Sequence, residues 1–367
     1  MFRVSTAFPI VACLLLPAGL LGGQMYTVTD IGAFGRGMFV ANLNDSGAMV
    51  GWEQDPSGVV KAFRWTSASG FLLVQAPGST FTRIWDINSA GLMAGDYDTG
   101  NNTIGNNIHG FIDDGTQLQV LASLPNTNAT QADYVYGINS AGTIGGSSIG
   151  INSLNNNVPI AVIWPLGGAA QAFAAGGTIK GLNDNGQMIG DSLGHQRAIV
   201  WNGGVSTTIG PFAGDTYSQA NAINNLGEVI GVSGTLSSSS STARMFLYSG
   251  GALSEVGSTC IDRPYIFDIN DSSQIVGQCS NFAALFSSGQ VTDLNQVIPS
   301  SPGLLLTSAR AINSSRQIAV NGTINGVEHG FLLTPIPEPN LGVPLAFALM
   351  PLLLCKRKRR ESSGEKP

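Results

Sequence analysis

Leu43-Asn44-Asp45-Ser46-Gly47-Ala48-Met49-Val50-Gly51 is the stretch on which the fold of this 367-residue chain turns. It runs apolar residue, asparagine, two turn residues, glycine, three apolar residues, glycine. Asparagine bonds its own backbone two residues on, and glycine accepts the positive φ that closes a tight turn. The segment therefore reads as a hairpin between two strands. Met49 and Val50 open the second strand, and adjacent apolar residues there imply burial on both faces. The pattern returns at Ile87-Asn88, Ile138-Asn139, Leu182-Asn183, Ile223-Asn224, Ile269-Asn270 and Ile312-Asn313. Successive asparagines lie 44, 51, 44, 41, 46 and 43 residues apart. A period in the low forties is that of a four-stranded propeller blade.

Each repeat continues with a third strand: Lys61–Trp65, His109–Phe111, Ile160–Trp164, Arg197–Trp201, Arg244–Tyr248, Phe282–Phe286 and His329–Leu332. A glycine-bearing turn such as Ser249-Gly250-Gly251 then leads to a fourth, for example Val291-Thr292-Asp293-Leu294. The seventh repeat has no fourth strand. A matching copy, Val28-Thr29-Asp30-Ile31, stands alone before the first repeat. Ring closure needs such a displaced strand, whereas an open solenoid gives no reason for one and usually carries atypical capping repeats. The expected fold is all-β: a seven-bladed β-propeller of four-stranded blades, its last blade closed by the N-terminal strand. Trp65, Trp164, Trp201, Tyr248 and Phe286 recur in one phase and are expected to pack between blades.

These repeats resemble the extracellular HAF-repeat family, named for the His-Ala-Phe that opens its third strand, here drifted to His-Gly-Phe at 109–111 and 329–331. The resemblance spans residues 26–334 and implies export and a propeller-like body, with no assigned activity or site residues.

Both ends read as addresses. Arg3 precedes an apolar stretch from Ala7 to Leu21, the form of a secretory signal peptide over residues 1–24. The repeat body occupies 25–336. Pro337-Glu338-Pro339 is followed by an apolar run from Leu341 to Cys355 and by Lys356-Arg357-Lys358-Arg359-Arg360. The basic cluster would stay cytoplasmic, and the run is shorter than the ~20 residues of a comfortable span. This order over 337–360 resembles the PEP-CTERM sorting signal of Gram-negative bacteria, ahead of a polar tail at 361–367. The resemblance implies export across the inner membrane, transient anchoring by the C-terminal segment, an exosortase-type processing enzyme as partner, and a cell-surface or extracellular destination. A plain C-terminal membrane anchor is the alternative.

Composition excludes one class of partner. Setting the termini aside leaves 10 basic residues against 20 acidic ones, a body near −10 with no basic cluster. Nucleic-acid backbones require the opposite balance. Cys260 and Cys279 are the cysteines of the body, and in an exported chain they are expected to form a disulfide.

Candidate chemistry is sparse. Gly146-Ser147-Ser148-Ile149-Gly150 fits G-x-S-x-G by letters, but Ser148 occupies a repeat position shared with Ser192 and Ser233, without a strand–turn–helix context. Asp96–Asn102 is similar to a calcium loop but lacks its sixth-position glycine and downstream glutamate. Of the three histidines, His109 and His329 stand where other repeats carry Lys or Arg, an exchange a metal ligand would not tolerate. No catalytic residue, metal or cofactor is expected. The preferred function is a non-catalytic surface or matrix protein that binds extracellular polysaccharide or another surface protein through one loop-rich face. Asn101, Asn102, Asn107, Asn155, Asn156 and Asn157 are candidate contacts there. The alternative is an extracellular polysaccharide hydrolase or lyase with its site at the propeller axis, which converging acid pairs would favour.

Overall fold

The computed structural model describes residues 24–33, 37–99, 107–124, 132–151, 157–174, 177–192, 196–236, 241–260 and 265–337. Two units are distinguished, Met1–Pro335 and Ile336–Pro367, and the fold described here is that of the first. The signal peptide and sorting signal beyond Pro337 lie outside the described residues, as do Asn101, Asn102, Asn155 and Asn156. No helix among the described residues is long and apolar enough to cross a membrane.

The chain forms a seven-bladed propeller of four-stranded antiparallel sheets. Blade one (β2–β5) covers 37–74, blade two (β6–β9) 82–120, and blade three (β10–β13) 133–174. Blades four (β14–β17), five (β18–β21) and six (β22–β25) cover 178–209, 217–256 and 265–293. Blade seven consists of β26 to β28 over 304–335, completed by β1 (Tyr26–Gly32) as its outermost strand. β1 pairs with β28 (Val327–Pro335) from Tyr26↔Pro335 to Gly32↔Gly330. Tyr26 is wholly buried in the core of blades six and seven, and its N–H donates to the Val297 carbonyl at 2.9 Å. The displaced strand read from Val28–Ile31 is therefore the closing strand of the ring.

The hairpin asparagines explain why the turn has this sequence. Each Oδ1 accepts the backbone N–H four residues on: Ala48, Leu92, Thr143, Gln187, Glu228, Gln274 and Gln317, at 2.8–3.0 Å. Each Nδ2 donates to the carbonyl of the next repeat's asparagine. The bonds run Asn44 to Asn88, Asn88 to Asn139, Asn139 to Asn183 and Asn183 to Asn224. They continue from Asn224 to Asn270 and Asn270 to Asn313, and Asn313 returns to Asn44 at 3.1 Å. One short amide thus closes its own turn and fastens its blade to the next.

Packing between blades follows the strand pattern. Phe63, Phe111, Trp164 and Phe246 are among the largest fully buried side chains. Trp65, Trp201 and Phe286 are also buried and Tyr248 packs against the same inter-blade layer, as the recurring aromatic phase predicts. Cys260 and Cys279 form a disulfide, Cα to Cα 5.5 Å, tying the link before β22 (Tyr265–Ile269) to the end of β23 (Ile275–Cys279).

Removing Tyr26–Gly32 should expose the β28 edge and the apolar faces under Tyr26 and Val28. In a closed ring this lowers the cooperative unfolding midpoint of the whole domain by more than 10 °C, on the order of several kcal/mol of lost burial. Thermal denaturation of the deletion variant checks this, and an unchanged midpoint would refute closure by β1.

Candidate functional site: a bulged ring at the propeller axis

The innermost strand of every blade carries one β-bulge at the same repeat position. The register slips between Val40 and Asn42, Ile84 and Asp86, Val135 and Gly137, and Ile179 and Gly181. It slips likewise between Ala220 and Ala222, Ile266 and Asp268, and Ala309 and Ala311. The skipped residue stands three before the hairpin asparagine: Ala41, Trp85, Tyr136, Lys180, Asn221, Phe267 and Arg310. A bulge re-aims a side chain out of the ladder, and all seven line one cavity of about 1330 Å³ on the axis. In six blades a glycine seven residues after the asparagine lets the strands approach at the bulge. A Cβ on Gly51, Gly95, Gly146, Gly190, Gly231 or Gly277 would fall within about 2 Å of a carbonyl oxygen of the inner strand.

Innermost strands run from the face of the long links toward the hairpin asparagines. The asparagine ring therefore borders the narrow end of the channel, where a hollow of about 210 Å³ is lined by the turns. The opposite end reaches the long-link face, where β7 (Met93–Asp98) and β8 (Ile108–Asp113) are joined by 99–107 and β9 (Leu118–Val120) and β10 (Asp133–Ile138) by 121–132. Tyr217, at the start of β18 (Tyr217–Ile223), and Tyr265 line the cavity on this side. The longest links thus lie on the cavity's own face.

Of the aromatic group around Trp85, Trp85 itself lines the cavity. Phe39 stacks on Trp52 with centroids 4.4 Å apart, and Trp52 meets Trp85 edge-on at 4.8 Å. Arg83 lies over Phe81 and Trp85 and bonds Asp96 at 2.9 Å, and Trp85 Nε1 donates to the same carboxylate at 2.8 Å. Burial raises the Asp96 pKa, and the Arg83 charge opposes that rise. Across the ring, Tyr265 and Phe267 lie parallel at 6.3 Å.

Two carboxylates, Asp86 and Asp268, stand beside the bulges and work as clamps between blades. Asp86 accepts from Asn42 Nδ2, from its neighbour Ile87 N and from Ile138 N of the next blade, each at 2.7 Å. Asp268 accepts from Ile269 N and from Ile312 N of the next blade, both at 2.8 Å. Burial raises Asp86 to about 7, with the Asp268 charge adding to the rise, and raises Asp268 to about 6. Both acids are committed to backbone donors.

The sequence candidates resolve as follows. Ser148 is fully buried inside β11 (Ile144–Ile151) and donates to Asp133 Oδ1 at 2.6 Å, a structural bond with no access for a substrate. Asp96 and Asp98 of the calcium-like stretch are spent on Arg83 and on the backbone of Thr80 and Phe81, and residues 100–102 lie outside the described residues. His329 contacts Asp30 at 2.9 Å, the His109 ring lies tilted 5.7 Å from that of Tyr97, and His195 lies outside the described residues. Among the described residues no group of three His, Cys, Asp or Glu side chains could hold a metal. Asn107 is described but does not line the cavity.

Reading the repeats for their shared residues missed the bulged ring. Its signal was available: the residue before each asparagine is always Leu or Ile, while the seven residues three before it are all different. A position held in register yet free in identity is one whose side chain packs against nothing shared.

No family model and no curated protein matches the chain. Solved structures do. An oligogalacturonate lyase in complex with manganese superposes with TM-score 0.56 at 14% identity, over 85% of this chain and 93% of that one. YCF48 from Cyanidioschyzon merolae gives TM-score 0.51 at 10% identity, over 84% and 98%. A puromycin-hydrolyzing peptidase of Mycobacterium tuberculosis gives 0.53 at 11%, over 85% of this chain and 56% of that one. These likenesses show the propeller fold alone.

The two clamps predict a pH dependence. An unfolded Asp titrates near 3.8, so between about 4 and 7 the native ring keeps protons that the unfolded chain has released. That stabilisation is full at acid pH and is lost as pH rises through about 6 and 7. Asp55 and Asp114, whose pKa values are lowered, are ionised in both states above pH 5 and do not contribute. The melting temperature should be a few degrees higher at pH 5 than at pH 8, and the Asp86→Asn/Asp268→Asn variant should flatten the difference. A wild-type profile rising from pH 5 to pH 8 would contradict this.

Proposed function

We propose that the chain is an exported, non-catalytic surface or matrix protein that binds a glycan at the mouth of its propeller axis. The observation that carries the reading is the bulged ring. One device repeated in every blade turns Trp85, Tyr136, Asn221 and Phe267 out of the sheets into a single cavity. Aromatic faces stack on sugar rings and amides meet hydroxyls, the usual makeup of a site with a few polar groups in an apolar wall. The cavity exceeds the ~300–1,000 Å³ of small-molecule sites, which suits several linked sugar units.

Export rests on the signal peptide, the HAF-repeat resemblance and the PEP-CTERM-like tail, and the disulfide fits an oxidising compartment. β28 ends at Pro335 beside Tyr26, on the tight-turn face. A hydrolase or lyase at the axis has less support, because the cavity's Asp86 and Asp268 are engaged by backbone donors.

A Trp85→Ala/Tyr136→Ala variant tests the reading. It should keep its cooperative melt and lose at least tenfold in affinity for the glycans retained by the mature protein on an array of extracellular polysaccharides. An aromatic contact is worth about 0.5–1.5 kcal/mol beyond the area it buries, so losing two amounts to tenfold or more. Retention by the variant equal to wild type would move the binding surface elsewhere, and release of new reducing ends by the wild type would favour the enzyme.

A further inference from the structure

The cations lining the axial cavity are Lys180, Arg244 and Arg310. Two of them are neutralised within the protein. Lys180 Nζ contacts Asp191 at 2.5 Å, and Arg244 contacts Asp215 at 2.9 Å and Glu255 at 3.8 Å. Arg310 has no carboxylate partner among the described residues, and its Nε is shut off from solvent with no acceptor. Burial lowers its pKa to about 10. A guanidinium partly withdrawn from water without an anionic partner is costly to the fold.

The surroundings keep that charge in place. Arg310 is the bulged residue of blade seven, and its guanidinium is flanked by rings from both neighbouring blades: Phe267 at 3.7 Å and Phe39 at 4.7 Å from Cζ. Cation–π contacts hold the group while leaving its N–H donors unspent. A guanidinium edge matches a planar carboxylate with two parallel hydrogen bonds. The same cavity is lined by the rings of Trp85, Tyr136 and Tyr265 and by the amides of Gln219 and Asn221.

We propose that Arg310 is an anion-recognition residue and that the glycan held at the propeller axis is a polyuronate, its sugar carboxylate paired with the Arg310 guanidinium. The assignment rests on the glycan-binding reading above and narrows it. The body's net charge near −10 gives no general attraction for polyanions, so acid-dependent binding reports the local site and not the field of the surface.

Calorimetry on the full mature protein in 0.15 M salt tests this with hexasaccharides of galacturonate, of alginate and of a glucuronate-containing polymer. Methyl-esterified galacturonate, a sulfated neutral hexasaccharide and polyglutamate serve as controls. At least one uronate should bind, and esterifying its carboxyls should weaken it tenfold or more. Arg310→Gln should abolish that preference while leaving the esterified form unchanged, and Arg310→Lys should restore it in part. The wild-type comparison of acid with ester needs no variant and stands even if the substitutions disturb folding. Equal affinity for acid and ester, preference for the sulfated sugar or polyglutamate, or a preference that survives Arg310→Gln would each overturn the proposal. If neutral or esterified glycans still bind, the charge assignment alone fails. If no glycan binds, the broader reading fails with it.

Discussion

Seven carboxamides hold this propeller together at its narrow end. Each hairpin asparagine uses its oxygen within its own turn and its nitrogen on the neighbouring turn, and the seventh bond returns to the first. All seven asparagines are buried. In that setting an unmade bond costs more than the ~0.5–1.5 kcal/mol a made one contributes, so the turns are locked as a set. The separation of 269 residues between Asn313 and Asn44 makes the last bond a statement about closure, independent of the outer strand. Asn321 adds a second closing contact, exchanging bonds with the backbone of Val40 at 2.8 and 3.1 Å. Closure is thus made near the axis by amides and at the rim by β1.

The fixed turns set what lies above them. Because every inner strand ends at the same ring, the bulge three residues earlier falls at one height around the channel. Next to the bulges, Asp86 and Asp268 tie blade to blade by accepting backbone N–H groups of Ile138 and Ile312, and Asn42 does so by donating its Nδ2 to Asp86. The bulged residues differ in every blade, and Asn221 among them also reaches the next blade, donating its Nδ2 to the Ile266 carbonyl at 2.7 Å. A rigid frame that presents one side chain of variable identity per repeat is well suited to recognition, because identity can change there without loss of the fold. The same frame holds Asp86 and Asp268 on backbone donors, while Arg310 has no carboxylate partner among the described residues.

Much of the fold was legible from the sequence because the repeat spacing, the apolar pairs at Met49-Val50 or Val229-Ile230, and the stray strand at Val28–Ile31 all report burial or pairing. Those are properties a single strand carries locally. The asparagine was read as a turn residue and its second bond was missed. Aspartate serves such turns as well as asparagine does, so seven asparagines and no aspartate pointed to a needed donor, and the partner lay a full repeat away. The bulged ring was hidden for the opposite reason. Ala41, Trp85, Tyr136, Lys180, Asn221, Phe267 and Arg310 share no chemistry, and only the register slip, a three-dimensional fact, brings them together. The loop asparagines expected as contacts follow from the long links of one face, and Asn101, Asn102, Asn155 and Asn156 lie outside the described residues.

The most direct test of the account separates the two halves of the amide's work. Asn88→Asp keeps the oxygen that accepts from Leu92 N and replaces the nitrogen that donates to the Asn139 carbonyl. Equilibrium denaturation at pH 8, where the new carboxylate faces that carbonyl with no proton to share, should show a loss of about 2–3 kcal/mol, the cost of an unsatisfied buried polar group. If asparagine acts only within its turn, aspartate serves equally, and a stability within about 0.5 kcal/mol of wild type, below the smallest typical hydrogen-bond contribution, would contradict the ring of amides as the feature on which the fold depends.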